Sequence, residues 1–182
     1  MYRDNSEGVK SIRYGSGTIS GDISRAAISV IADRKYAVEW FKMITVTSSD
    51  LPGFSNENWD GILGLLPSTL SGSELFVNRL YDKGGIGHNS FGIQLTSTKL
   101  GSKITFGGFD TGIVQQKSNF TFNDVSDDKY WALDIHETRY GDGDVLDMDE
   151  TGKAVIDTGS SFMLFSPKLW GEFKSTISKG KK

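Results

Sequence analysis

An all-β fold with a few short helices is predicted by three features of this sequence. Its β-branched and aromatic residues fall in short runs separated by Gly, Asn, Asp and Ser, the punctuation of strands and turns. Its 182 residues include 22 Gly but only 3 Pro, a balance that favours tight turns and close backbone approaches over disordered linkers. Helix start and stop signals stand out at only two places.

Taken in order, Ser11-Ile12-Arg13-Tyr14 and the run Thr18 to Ile23 alternate apolar and polar residues on either side of Gly15-Ser16-Gly17. That pattern predicts a β-hairpin, with glycines that permit positive φ at its tip. Ala27 to Val30 and Tyr36 to Val46 continue as strands. Ile104-Thr105-Phe106, Phe120-Thr121-Phe122 and Tyr130 to Ile135 supply three more, each cut off by glycine or acidic turns. The first helix is expected from a Ser73 cap to about Asp82, with Phe76, Val77 and Leu80 on one face and Gly84 as its stop. The second opens with Ser166 as cap and Pro167 at the first helical position. A handover between two lobes is expected near Phe109 to Ile113, giving units of 1–112 and 113–182.

Composition excludes several functions. A net charge of −3 creates no basic field for nucleic acid, and Lys179, Lys181 and Lys182 read as a solvated end. No apolar run approaches the length of a membrane span, and the polar start Met1 to Asn5 is no signal peptide. Without Cys there are neither disulfides nor thiolate metal sites. His88 and His136 lack partners at metal-ligand spacing. The acidic stretch Asp142 to Glu150 lacks the closing glutamate of a calcium loop and reads as a solvated hairpin loop. No metal or other cofactor is expected. Asn119-Phe120-Thr121 is a glycosylation sequon, relevant only in a secretory setting.

The most informative stretch is Ala154 to Ser161. A buried apolar strand is expected to deliver Asp157 into a turn. Thr158 can bond a neighbouring loop, Gly159 carries no Cβ, and Ser160 and Ser161 offer hydroxyls to hold the carboxylate. Asp110-Thr111-Gly112 repeats the triplet, but Gly107-Gly108 precede it and Ile113-Val114 follow, so neither the apolar strand nor the hydroxyls are present. It is rejected as catalytic.

Three landmarks, in order, resemble pepsin-like aspartic peptidases. Tyr14-Gly15-Ser16-Gly17 resembles the tip of the flap that closes over substrate. Trp59-Asp60-Gly61-Ile62-Leu63-Gly64-Leu65 resembles the strand that threads the loop of the first catalytic acid. Ile156-Asp157-Thr158-Gly159-Ser160-Ser161 resembles the loop of the second. The resemblance runs from about Tyr2 to about Trp170 and implies a bilobal β fold truncated at both ends. The first catalytic loop and the later part of the second lobe are missing, so a fragment inactive by itself is expected.

What the resemblance implies about chemistry follows from that family. Two carboxylates share a proton, one drawing a proton from a water that attacks the peptide carbonyl and the other donating to its oxygen. Asp157 is carried over as the second acid, with Thr158, Gly159, Ser160 and Ser161 as its loop. Tyr14, Gly15, Ser16 and Gly17 would contact an extended polypeptide, and Trp59, Ile62, Tyr130 and Val155 would line side-chain pockets, although each of these four is equally well explained as core. The implied activity is an acid-favouring endopeptidase in a secreted, lysosome-like or vacuole-like compartment, monomeric when full length. The alternative is a non-catalytic pepsin-fold module that binds peptides or proteins; a half enzyme pairing two copies of Asp157 is a more remote one.

Overall fold

The structure, a computed structural model, describes residues 7–52, 54, 60–67, 74–98, 100–113, 120–143, 145–147 and 152–179. Trp59, Ser73, Asn119, Lys181 and Lys182 lie outside the described residues, as does the side chain of Lys179. The chain forms two compact units, Met1–Leu65 with Thr69–Ser118, and Leu66–Ser68 with Asn119–Lys182. Each contains antiparallel β-structure and one α-helix; the first is mainly β, whereas the second combines two three-residue strands with a 13-residue helix.

In the first unit, β1 (Val9–Tyr14), β2 (Gly17–Ser29) and β3 (Ala37–Ser49) form an antiparallel sheet in that order. Tyr14 pairs with Gly17 across the predicted hairpin turn. The segment Ala27 to Val30 is not a separate strand: β2 runs unbroken to Ser29. The long β2–β3 pairing carries two bulges. Between Ala26↔Phe41 and Ile28↔Val38, β3 has one residue too many, and Trp40 absorbs the kink with a φ of 57°. It is the one non-glycine residue with positive φ among the described residues. Arg25 Nη1 donates to the Trp40 carbonyl at 3.1 Å and so holds the bulge. The other bulge lies beside Gly21, where a Cβ would collide with the Thr45 carbonyl.

Helix α1 (Phe76–Asp82) buries Phe76, Val77 and Leu80, as their spacing predicts. Phe76 meets Phe41 and Phe106 edge-on, with ring centroids 5.9 and 5.7 Å away. With Val38 and Leu80 these rings form the core under the sheet. The helix starts later than predicted: Leu75 is its N-cap and makes no side-chain capping bond. Its end is as predicted. Gly84, at φ 75°, donates to Tyr81 O at 2.8 Å, and Gly85 donates to Leu80 O at 2.9 Å, which satisfies the last carbonyls. Glu74 ties helix to sheet through Arg79 (2.7 Å) and Arg25 (3.1 Å). A second antiparallel pair, β4 (Phe91–Gln94) with β5 (Lys103–Phe106), completes this unit's strands and leads to Gly107 and Gly108.

The second unit has a smaller frame. β6 (Ala132–Asp134) pairs with β7 (Lys153–Val155), and α2 (Pro167–Lys179) follows. The predicted cap is present: Ser166 Oγ accepts the Leu169 N–H at 3.2 Å, with Pro167 opening the helix. On α2, Phe173 packs against Phe165 (5.3 Å), Trp170 (6.0 Å) and Tyr140 (5.4 Å). The acidic stretch is a hairpin loop at its start, with an isolated bridge Arg139↔Val145.

Two predicted strands are absent. Phe120-Thr121-Phe122 does not form a strand: the two rings lie 6.4 Å apart, and Phe122 is 89% exposed. High β-propensity does not make a strand without a partner edge. Asp60 to Leu66 is likewise not a strand, and Ile62 is 52% exposed. No helix among the described residues is long and apolar enough to cross a membrane.

Candidate active site

The pairing of β7 continues one step past its end, where the Ile156 N–H donates to Trp131 O at 2.8 Å. Asp157 follows directly. The strand delivering it is not buried as expected: it belongs to a sheet of two strands, and Val155 and Ile156 are each 55% exposed. Asp157 itself is exposed.

The loop nevertheless holds the carboxylate in a defined orientation. The Gly159 N–H donates to Asp157 Oδ1 at 2.9 Å, and Ser160 Oγ donates to Oδ2 at 2.7 Å. The Ser160 N–H returns to the Asp157 carbonyl at 3.3 Å, closing the turn. A Cβ on Gly159 would sit 3.2 Å from Asp157 Oδ1, a tight approach. Both carboxylate oxygens therefore take a donor from their own loop. Thr158 and Ser161 are exposed beside them.

Asp110 uses the same short-range geometry for a different end. Its Oδ1 accepts the Gly112 N–H at 2.9 Å, but its Oδ2 is paired with Lys103 Nζ at 2.5 Å. The ammonium group, followed by the Gly112 N–H, holds this carboxyl below its ordinary range. The ion pair keeps this carboxylate charged, which fits a structural contact.

The hairpin tip lies in the first unit. Tyr14 is half-buried, and burial pushes its hydroxyl pKa up. Gly15 and Ser16 are exposed at the turn. Neither Gly15 nor Gly17 uses the positive φ that a glycine permits. Gly17 is required instead by close approach: a Cβ there would lie 2.7 Å from Asp50 Oδ1. No motif singled out Asp50, since its contact depends on a strand pairing that brings residues far apart in sequence together.

Of the remaining predicted residues, Tyr130 is 44% exposed and lies just before β6, while Val155 ends β7, so these two share a unit. Ile62 is exposed in the first unit, and Trp59 and Asn119 are outside the described residues. His88 and His136 are both exposed, and among the described residues no group of acids and histidines is placed to hold a metal.

Comparison with known proteins establishes the family. The family model described as "Eukaryotic aspartyl protease" matches residues 1–181. The chain belongs to the eukaryotic aspartyl protease family. Among similar members, the vacuolar aspartic protease of Candida albicans is 30% identical over 169 residues, covering 87% of this chain and 38% of that protein. Cathepsin E of Rattus norvegicus is 29% identical over 172 residues, covering 92% and 42% respectively. The crystal structure of an aspartic proteinase from Irpex lacteus superposes with a TM-score of 0.75 at 19% identity, over 95% of this chain and 53% of that one. That match supports the aspartyl protease fold. This aspartyl protease chain spans less than half the length of the two relatives by sequence.

Proposed function

We propose that this chain carries one catalytic acid, Asp157, and the substrate-covering hairpin of an aspartic endopeptidase. The observation that supports it most directly is the double hold on the Asp157 carboxylate by Gly159 N–H and Ser160 Oγ, in a chain of the aspartyl protease family. Residues 1–112 and 113–182 correspond to parts of the two lobes, and polypeptides with apolar residues near the scissile bond are the substrates. Tyr14 to Gly17 cover the bound peptide, while Trp59, Ile62, Tyr130 and Val155 approach its side chains.

The chemistry requires a second carboxylate facing Asp157. Two carboxyls in contact cannot both ionise easily, so they share one proton, aspartic proteases being the reference case of this effect. The ionised member takes a proton from a water held between them, and that water attacks the carbonyl carbon. The protonated member donates to the carbonyl oxygen, and the tetrahedral intermediate collapses as a proton passes to the leaving nitrogen. The two steps belong to the pair, so neither apparent pKa is the property of one residue. Because one proton must be retained, activity favours acid, in keeping with a secreted or vacuole-like compartment.

With only one such loop, the 182-residue chain does not hydrolyse peptides by itself. The decisive experiment supplies the rest: a chimera in which the parts of rat cathepsin E outside the matched region flank this chain. A folded chimera should cleave an unfolded protein at acid pH and lose that activity on Asp157→Asn. Undiminished cleavage by Asp157→Asn overturns the assignment. Peptide binding without cleavage by the unmodified chimera identifies a non-catalytic binding module instead.

A further inference from the structure

The three-stranded sheet becomes a two-stranded hairpin at a definite place. The last register pair between β2 and β3 is Ile19↔Ser49, whereas β1 and β2 remain paired through Arg13↔Thr18 and Tyr14↔Gly17. At that junction stands Asp50. Its N–H donates to Thr18 O at 3.1 Å, continuing the ladder by one bond. Its carboxylate Oδ1 accepts the Thr18 N–H, taking the place a third-strand carbonyl would otherwise fill. Thr18 thus has both backbone groups satisfied by one residue. Ser49 Oγ accepts the Leu51 N–H at 3.1 Å and fixes the turn that presents Asp50.

The same side chain explains Gly17. An ideal Cβ at Gly17 would lie 2.7 Å from Asp50 Oδ1 and 3.0 Å from both Asp50 O and Leu51 Cα. The hairpin therefore gives up a side chain at its root so that a carboxylate can pass close to its backbone. Beyond this point the Tyr14–Gly17 tip has no β3 pairing.

We propose that Asp50 is a positioning residue that braces the flap, setting where the hairpin begins to move freely and how Tyr14 to Gly17 are presented to a bound peptide. This rests on the reading of that hairpin as the flap. Asp50 takes no part in the chemistry; it acts through the backbone of Thr18 and Gly17.

The test reads amide hydrogen exchange by NMR in the full 182-residue chain. Loss of a charge-assisted hydrogen bond in Asp50→Ala should raise exchange at Thr18 about tenfold or more. The core amides of Val38 and Phe41 should keep their protection. Asp50→Asn retains a carbonyl acceptor and should restore most of the protection. Gly17→Ala, which pushes the carboxylate aside without removing it, should reproduce the Asp50→Ala effect. Unchanged exchange at Thr18, or equal loss at Val38 and Phe41, overturns the brace.

A synthetic apolar-centred peptide separates this from the function beneath it. Shifts of the Gly15, Ser16 and Gly17 amides on adding peptide, weakened by Asp50→Ala, support both readings. No shift in the unaltered chain overturns the flap reading, and with it any part for Asp50 in substrate binding, whatever the exchange result.

Discussion

Truncating Phe76 to alanine removes the ring on which the first unit's core converges. Phe76 is 1% exposed and meets two other rings edge-on, at 5.9 and 5.7 Å. Burial and cavity effects for Phe→Ala in a close-packed core amount to about 3–5 kcal/mol. The two edge-on pairs, each contributing about 0.5–1.5 kcal/mol, place the expectation in the upper part of that range. Against a total of about 5–15 kcal/mol for a folded domain, this is a large fraction. With an m-value of about 2 kcal/mol/M, the urea midpoint should fall by about 2 M. The titration is followed at the amides of Val38 and Phe41, so that only this unit is read. Tyr81→Ala, on the same helix but 43% exposed, is the control and should stay within about 0.5 kcal/mol of the parent. If Phe76→Ala matches Tyr81→Ala, the core is not organised around that ring and α1 is not what holds β3 in place.

Two further outcomes are open to measurement. The Arg25 guanidinium, then the Lys42 ammonium, hold the Glu7 carboxyl below its ordinary value of 4.5, so its stabilisation is complete above that pH and is lost as pH falls through the lowered folded value. The urea midpoints of the parent and Glu7→Gln should therefore differ at neutral pH and converge on acidification; a gap that widens with acid contradicts the ion-pair account. Gly84→Ala puts a side chain at φ 75° in the helix-terminating turn and should cost about 1–2 kcal/mol, while Gly87→Ala, in open space without a positive φ, should cost little.

Local patterns were legible wherever the cause lies within a few residues. Phe76, Val77 and Leu80 share a helical face by spacing alone, and Ser166-Pro167 starts a helix by capping chemistry alone. Features that depend on register were not. The Trp40 bulge exists because β3 has one residue more than β2 between two fixed pairs, and neither strand carries that count by itself. Phe120 and Phe122 have every local preference for a strand but do not form one. Gly17 was legible as necessary, but for the wrong reason. The constraint is not its own φ but Asp50, placed against it by the β2–β3 pairing.

The two Asp-Thr-Gly triplets show why a motif needs its neighbours. Both fold the aspartate onto the N–H of the glycine two residues on, at the same 2.9 Å, so the triplet specifies only a turn. What differs is the partner of the second oxygen. At Asp110 it is a lysine from β5, and a cation there keeps the carboxyl ionised and locked in an ion pair. At Asp157 it is the neutral hydroxyl of Ser160, which orients the carboxylate without cancelling its charge. Under the proposed function, an acid that takes a proton from water and shares one with a second acid needs the latter environment. The hydroxyl after the glycine, rather than the triplet itself, is therefore the part of the pattern that sets the Asp157 loop apart from the ion-paired Asp110 turn.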